Sequence, residues 1–263
     1  MQKRAVKTIK TRTQGKKMTT ELILELLEKE KFIKIDDIAK KLFVSPSTVR
    51  RKLNELQAQG LIERIHGGAK ISDEKNYFPK FSFRAHVSSL EKKKIALSAL
   101  KLIKNGDVIF LDGSTSAFFV AEYLSQFDNI KVYTNAIDTL SLLAKNKVTV
   151  YSTGGLVSTE NPSVLVGRYA ENTISQIYAD LAFFSAHSVN ADGAITDCFE
   201  EEIPIRQAMI KNAKKSVFLC DSTKFNKTSA FHLCKVDDID YLISDKFSED
   251  NFNNKVKAQL ISV

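Results

Sequence analysis

Beyond residue 107 the chain alternates short apolar runs with amphipathic segments, and this restricts the folds open to it more than any other feature. Runs of strand length, rich in β-branched and aromatic residues, occupy 108–111, 130–133, 148–152, 179–185, 216–220 and 241–244. Segments with helical spacing separate most of them, at 117–125, 136–144, 167–177 and 201–214. A further helix is expected from a Ser88/Glu91 capping box to Lys104, closed by Asn105-Gly106. Apolar strands alternating with helices predict an α/β domain whose mainly parallel sheet is covered on both faces.

In such a sheet ligands bind at the carboxyl ends of the strands, so the residues just past each strand carry the functional argument. The first strand is followed by Asp112-Gly113-Ser114-Thr115-Ser116, a small, hydroxyl-rich turn into a helix, where free N–H groups favour an anion. Thr134-Asn135 follows the second strand, Gly154-Gly155 the third, and Asp221-Ser222-Thr223-Lys224 the strand ending at Cys220. One Ser or Thr at a helix start is only a cap, and one Gly pair only a turn. Their recurrence at successive strand ends fits a ligand with phosphate and hydroxyl groups, with Lys224 as a mobile point charge.

The net charge of +8 sits in the first quarter. Residues 1–75 hold 18 Lys and Arg against 10 Asp and Glu, while residues 76–263 hold 21 of each. A basic head on a neutral body fits a chain whose amino end neutralises DNA phosphates. Residues 1–17, with seven basic residues and no acid, read as a solvated extension.

The segment that follows is patterned. Leu22, Ile23, Leu26 and Leu27 form the apolar stripe of a first helix behind a Thr19 cap. A β-prone link at 32–35 leads to a second helix begun by Asp36 and Asp37 and ended by Phe43 and Val44. Ser45 and Pro46 are suited to be N-cap and first residue of a third helix, which buries Val49, Leu53 and Leu56 and closes at Gly60. Ser47, Thr48, Arg50, Arg51 and Asn54 lie on its other faces. These are the parts of a helix-turn-helix, whose second helix meets base edges in the major groove. After Gly60 two short strands turning at His66-Gly67-Gly68 read as a wing, with Arg64, His66 and Lys70 near phosphate. Ser45 completes the expected DNA-contacting set.

The stretch KLFVSPSTVRRKLNELQAQGLIERIHGGA resembles the DNA-binding signature of the DeoR family of bacterial regulators. The resemblance continues through FLDGSTSA, VYTNA, STGGLV, LVG, EEEIPIRQAMI and LCDSTKFNK, in order, and so covers nearly the whole chain after residue 18. It implies a winged helix-turn-helix followed by a sensor domain related to ribose-5-phosphate isomerase and coenzyme A transferases, responsive to sugar phosphates. It also implies phosphate contacts from Gly113, Ser114, Thr115 and Ser116, and polar contacts from Asp112, Asn135, Glu202, Arg206 and Lys224. Two departures stand out. Lys52 follows the Arg pair where the family has an acid, and its charge is expected to add phosphate attraction. FFSAHSV replaces a glycine-containing FLGASGI, so that Ser185 and Ser188 stand at glycine positions with His187 between them.

The expected organisation is a basic extension at 1–17, a winged helix-turn-helix at 18–73, a linker at 74–88 and an effector-sensing domain at 89–263. The expected function is a sequence-specific regulator, a repressor of a carbohydrate operon. Its expected partners are a double-stranded DNA operator, a phosphorylated sugar or related small molecule, and further copies of the chain as a dimer or tetramer. The alternative is an isomerase-like enzyme with a DNA-binding head. By the same resemblance an isomerase requires an Asp-Gly-Ala-Asp loop and a lysine followed by glycines, whereas here Asp192-Gly193-Ala194 precedes Ile195 and Lys224 precedes Phe225. Cys198, Cys220 and Cys234 show no paired spacing and the four histidines are scattered, so no metal or cofactor is expected. No apolar run reaches membrane-spanning length and the amino end lacks a secretory pattern, which predicts a cytoplasmic protein with no membrane partner.

Overall fold

The computed structural model describes residues 22–24, 26–27, 30–58, 62–71, 81–247 and 251–263. The basic extension, the Thr19 cap, Gly60 and the aromatic stretch around Pro79 lie outside them. The chain divides into two compact units, Met1–Ser88 and Ser89–Val263.

In the first unit residues 22–24, 26–27 and 30 are helical. Strand β1 (Phe32–Lys34), helix α1 (Ile35–Leu42) and helix α2 (Pro46–Ala58) follow, and then strands β2 (Ile62–Ile65) and β3 (Gly68–Ile71). The strands form an antiparallel sheet of order β1-β3-β2, so the predicted link before the second helix is the third strand of the wing. Ile23, Leu24, Leu27, Ile38, Val49, Leu53, Leu56 and Ile62 make one core, the apolar stripe of each helix turned inward. Helix α3 (Phe81–His86), within the stretch expected to be a linker, adds Phe83 to that core.

The second unit is built on a seven-stranded sheet of order β15-β14-β12-β9-β4-β5-β6, every described pairing parallel. Its strands are β4 (Val108–Leu111), β5 (Lys131–Thr134), β6 (Thr149–Ser152), β9 (Ala179–Phe184), β12 (Ala213–Leu219), β14 (Tyr241–Ser244) and β15 (Gln259–Ser262). Successive side chains point to opposite faces, and both faces are covered. Ile109, Leu111, Leu181, Phe183, Val217, Leu219 and Ile243 pack on one side with Ile95 and Ala99 of helix α4 (Ser89–Ala99) and Val120 of helix α5 (Thr115–Ala121). Phe110 and Ala182 face the other way, with Ile174 of helix α7 (Arg168–Ser175) and Ile205 and Met209 of helix α8 (Ile203–Lys211). Phe184, Phe218 and Leu242 share that face with the core beneath a small antiparallel sheet of β10 (Ser188–Val189), β11 (Ala194–Asp197) and β13 (Phe231–Lys235). Helix α6 (Ile137–Lys145) connects β5 to β6, and a hairpin of β7 (Leu156–Val157) and β8 (Leu165–Val166) precedes α7.

From β4 the chain first runs outward through β5 and β6. It then returns to the other side of β4 and continues through β9, β12, β14 and β15. The topological switch point, where helices diverge and leave a crevice, therefore lies between β4 and β9.

Three expected boundaries are corrected. Ser88 has φ of 49°, not the extended geometry of a capping residue, and α4 begins at Ser89 and passes into a 3-10 turn ending at Leu102 instead of reaching Lys104. The helix expected at 201–214 is a 3-10 turn, Glu200–Glu202, followed by α8. Pro204 sits in the first turn of α8, and Asn212 ends it so that Lys214 belongs to β12. The helix expected at 117–125 ends at Ala121 and is followed by a 3-10 turn at Leu124–Gln126.

Phe43 ends α1 in the left-handed region, φ 52°, with its ring 96% exposed. A side chain there costs backbone strain that no packing offsets. Phe43→Gly is expected to stabilise the first unit by about 1 kcal/mol, and thermal unfolding checks this.

Candidate effector site and nucleic-acid face

The carboxyl ends of β4 and β9 are tied together by one buried carboxylate. Asp112 Oδ1 accepts from the Ser114 N–H (3.1 Å) and the Ser114 hydroxyl (2.5 Å), while Oδ2 accepts from the Ser185 N–H (3.2 Å) and Arg206 Nε (2.8 Å). Arg206, itself buried on α8, donates through Nη2 to Glu202 Oε2 at 2.6 Å. Its Nη1 lies 3.3 Å from Asp197 Oδ2 without hydrogen-bond geometry. Burial opposes the Arg206 charge, but Asp197, Glu202 and Asp112 outweigh it and raise its pKa further. Burial likewise pulls the Asp197 carboxyl up, and Arg206, the Cys198 and Phe199 N–H groups and Lys224 overcome this and hold it below its ordinary value. Glu202 Oε1 accepts from Asn161 Nδ2 (2.7 Å), which extends the network towards the β7–β8 hairpin.

Around this cluster the expected effector residues fall into three groups. Asp112, Gly113, Ser114, Glu202 and Arg206 are brought together. A Cβ on Gly113 would collide with the Val164 side chain, so the turn tolerates only glycine. Ser114 caps α5, its hydroxyl accepting from the Ala117 N–H at 3.1 Å, and Thr115 and Ser116 are buried behind it. On the next strand Thr134 accepts from the Ala136 N–H and Asn135 Nδ2 donates to the Leu165 carbonyl. Gly154 and Gly155 form an exposed turn apart from these. A Cβ on Gly155 would strike the Val166 carbonyl, which gives that residue a packing role at the hairpin.

Two buried polar atoms near these strand ends, Ser116 Oγ and Asn135 Oδ1, have no hydrogen-bond partner among the described residues. Such atoms are costly to bury alone and mark places that a ligand or water can satisfy. Lys224 is held, not mobile as expected: its ammonium donates to Ser185 Oγ (2.9 Å) and the Ala186 carbonyl (2.5 Å), because Ser185 places a hydroxyl where it can reach. Sequence reasoning missed Asp197. It sought an acid directly after Ala194, and the carboxylate that meets Arg206 stands three residues later at the end of β11. Burial and then Asp197 push the Cys198 thiol up to about 12, which disfavours the thiolate. Among the described residues no group of His, Cys, Asp and Glu could hold a metal ion, and no helix is long and apolar enough to cross a membrane.

In the first unit Ser45 caps α2. Its hydroxyl accepts from the Thr48 N–H (3.2 Å) and lies 2.8 and 2.9 Å from the Ser47 and Thr48 hydroxyls. Arg50, Arg51, Asn54, Arg64 and His66 are exposed, and Arg64 Nη1 donates to Asn54 Oδ1 at 2.6 Å, joining wing to helix. Lys70 Nζ lies 3.2 Å from Glu63 across the wing. Lys52 corrects the sequence expectation. Its side chain is buried and its ammonium meets Glu55 one turn on at 2.7 Å, so its charge is not presented to phosphate.

The Arg206 cluster makes a pH-dependent prediction. Arg206→Met leaves three carboxylates buried with no guanidinium among them, which is expected to cost about 3–5 kcal/mol. In the wild type the Asp197 contribution is present above about pH 4 and lost in stronger acid, because its folded pKa is lowered. In the variant the sign reverses, since buried unpaired carboxylates take up protons more readily than unfolded ones. The variant should lose stability as pH rises above about 4, and thermal denaturation of both proteins across pH should show the gap narrowing on acidification.

Both units match known families. Residues 20–75 match the DeoR-like helix-turn-helix domain and residues 87–246 the DeoR C terminal sensor domain. The chain is 34% identical over 224 residues to the HTH-type transcriptional regulator GolR of Listeria innocua, covering 85% of this chain and 88% of that one. It is 28% identical over 245 residues to the glycerol-3-phosphate regulon repressor of Haemophilus influenzae, covering 91% and 94%. Ribose 5-phosphate isomerase A of Methanocaldococcus jannaschii aligns over 52% of this chain and 54% of its own at 17% identity, with a TM-score of 0.40. A helix-turn-helix unit, a parallel α/β sensor unit and relatives named as regulators place this chain in the DeoR family, as a transcriptional regulator and not an enzyme.

Proposed function

We propose that the protein represses a carbohydrate operon and is released from, or tightened on, its operator by a phosphorylated sugar bound at the carboxyl edge of the sheet between β4 and β9. The observation that carries this is a pair of buried atoms without a hydrogen-bond partner among the described residues, Ser116 Oγ in the helix after β4 and Asn135 Oδ1 just after β5. The phosphate is assigned to the Gly113–Ser116 turn, and the polar contacts to Asp112, Thr134, Asn135, Glu202, Arg206 and Lys224, with Gly154 and Gly155 at the rim. A relative named a glycerol-3-phosphate regulon repressor supports repression. On the DNA side Ser47, Thr48, Arg50 and Arg51 read the major groove, Ser45 and Asn54 flank them, and Arg64, His66 and Lys70 approach phosphate. The 1–17 extension, the 18–73, 74–88 and 89–263 division and a dimer or tetramer complete the proposal.

Arg50→Ala and Arg51→Ala are expected to weaken operator binding more than binding to random DNA, by about 1–3 kcal/mol of discrimination. Equal losses on both DNAs in a titration assay would reassign the residue to phosphate. Effector and DNA affinities are coupled reciprocally, typically by about 5- to 150-fold. Lys224→Ala is therefore expected to abolish the change in operator affinity that a panel of sugar phosphates produces in the wild type. A mutant that responds as the wild type does would move the site elsewhere.

A further inference from the structure

The loop that replaces the family's glycines has a local order that the proposed site does not use. Ser185 is fully engaged, its hydroxyl donating to the Leu219 carbonyl at 2.7 Å and accepting from Lys224. The His187 N–H donates to Asp197 Oδ2 at 3.1 Å. Its ring is fixed from the other side: Nδ1 lies 2.9 Å from Ser229 Oγ, which lies 2.7 Å from Ser188 Oγ, which in turn lies 2.8 Å from Thr196 Oγ1. The Ser229 N–H donates to the same Thr196 oxygen at 2.8 Å, so the relay is anchored at both ends on the small β10-β11-β13 sheet. Such anchoring holds the imidazole of this surface residue in one orientation while Nε2 has no partner among the described residues.

The place is as informative as the order. Ser185 is joined through Asp112 to the Ser114 turn, and His187 is two residues further on, at most about 7 Å of extended chain from Ser185. The charged groups around the ring are Asp197, which accepts from the His187 N–H, Lys224, held on Ser185 and the Ala186 carbonyl, and Lys227, whose backbone N–H donates to the Val189 carbonyl two residues before the Ser229 that meets the ring. Asp197 is already committed to Arg206, whereas the Lys227 side chain has no partner among the described residues. Desolvation of the ring outweighs the opposing pull of Asp197 and, with Lys224 and Lys227, keeps the imidazole below its ordinary pKa, so it acts near neutrality as a neutral hydrogen-bonding group beside an ammonium.

We propose that His187 Nε2 and the Lys227 ammonium form a second anion subsite, so that the effector is a sugar derivative with an acidic group at each end, one on the Gly113–Ser116 turn and one here. This rests on the effector site of the preceding section and adds the class of ligand. A second phosphate and a terminal carboxylate share the required chemistry. Binding to the full-length protein, measured by calorimetry, compares fructose 1,6-bisphosphate, 6-phosphogluconate and fructose 6-phosphate, whose far end is neutral. At least one of the two-ended compounds is expected to bind about tenfold more tightly than fructose 6-phosphate, and which one does so distinguishes phosphate from carboxylate. Lys227→Ala, a surface change that should not disturb folding, and His187→Asn are each expected to bring that ratio close to one while leaving the fructose 6-phosphate affinity in place. Equal affinity for all three compounds, or a preference that survives in both variants, would overturn the subsite and leave the effector site standing. Failure of all three to bind would overturn both.

Discussion

The arrangement of the sensor unit depends on one buried guanidinium. Arg206 on α8 faces Asp112 at the end of β4, Asp197 at the end of β11 and Glu202 one turn before it, and through Asp112 it also holds the Ser114 and Ser185 loops. A buried charge of this kind is tolerable only when its partners are placed well, and the partners are equally dependent on it. The consequence is a sheet edge whose loops are fixed before any ligand arrives. Loops held in this way lower the cost of any binding that they take part in.

The same edge keeps its charged groups occupied with one another. The three carboxylates around Arg206 are engaged with it, and Lys224 is tied to Ser185 and the Ala186 carbonyl. A general base needs a carboxylate free to accept a proton near neutral pH, and the Asp197 pKa is shifted the other way. Among the described residues, Ser116 Oγ, Asn135 Oδ1 and Arg206 Nη1 are buried here without a hydrogen bond.

In the DNA-binding unit electrostatics are similarly sorted by burial. Arg50, Arg51, Arg64 and His66 are at the surface, while Lys52, adjacent in sequence to the Arg pair, is turned inward on Glu55. Three consecutive basic residues on a helix point about 100° apart, so their charge cannot all be delivered to one partner. The bond from Arg64 to Asn54 ties the wing to α2 and presents the two as one surface.

The amino-acid sequence by itself determined the elements. Apolar runs of period two that are hydrophobic on both sides could only be strands buried between helices, and Ser45-Pro46 ahead of Val49, Leu53 and Leu56 could only begin a helix with one inward face. It also marked the strand ends, because loops such as Asp112–Ser116 carry their chemistry in consecutive residues. Only the tertiary structure decided the order of strands, and with it which loops meet at the β4–β9 switch point. Asp112 and Arg206 lie 94 residues apart, and no local period relates them. The inward turn of Lys52, the capture of Lys224 by Ser185 and the relay that fixes His187 were likewise absent from any local pattern. Periodicity reports the angle at which a side chain leaves its own element, whereas a partner is chosen by the packing of elements far apart in the chain.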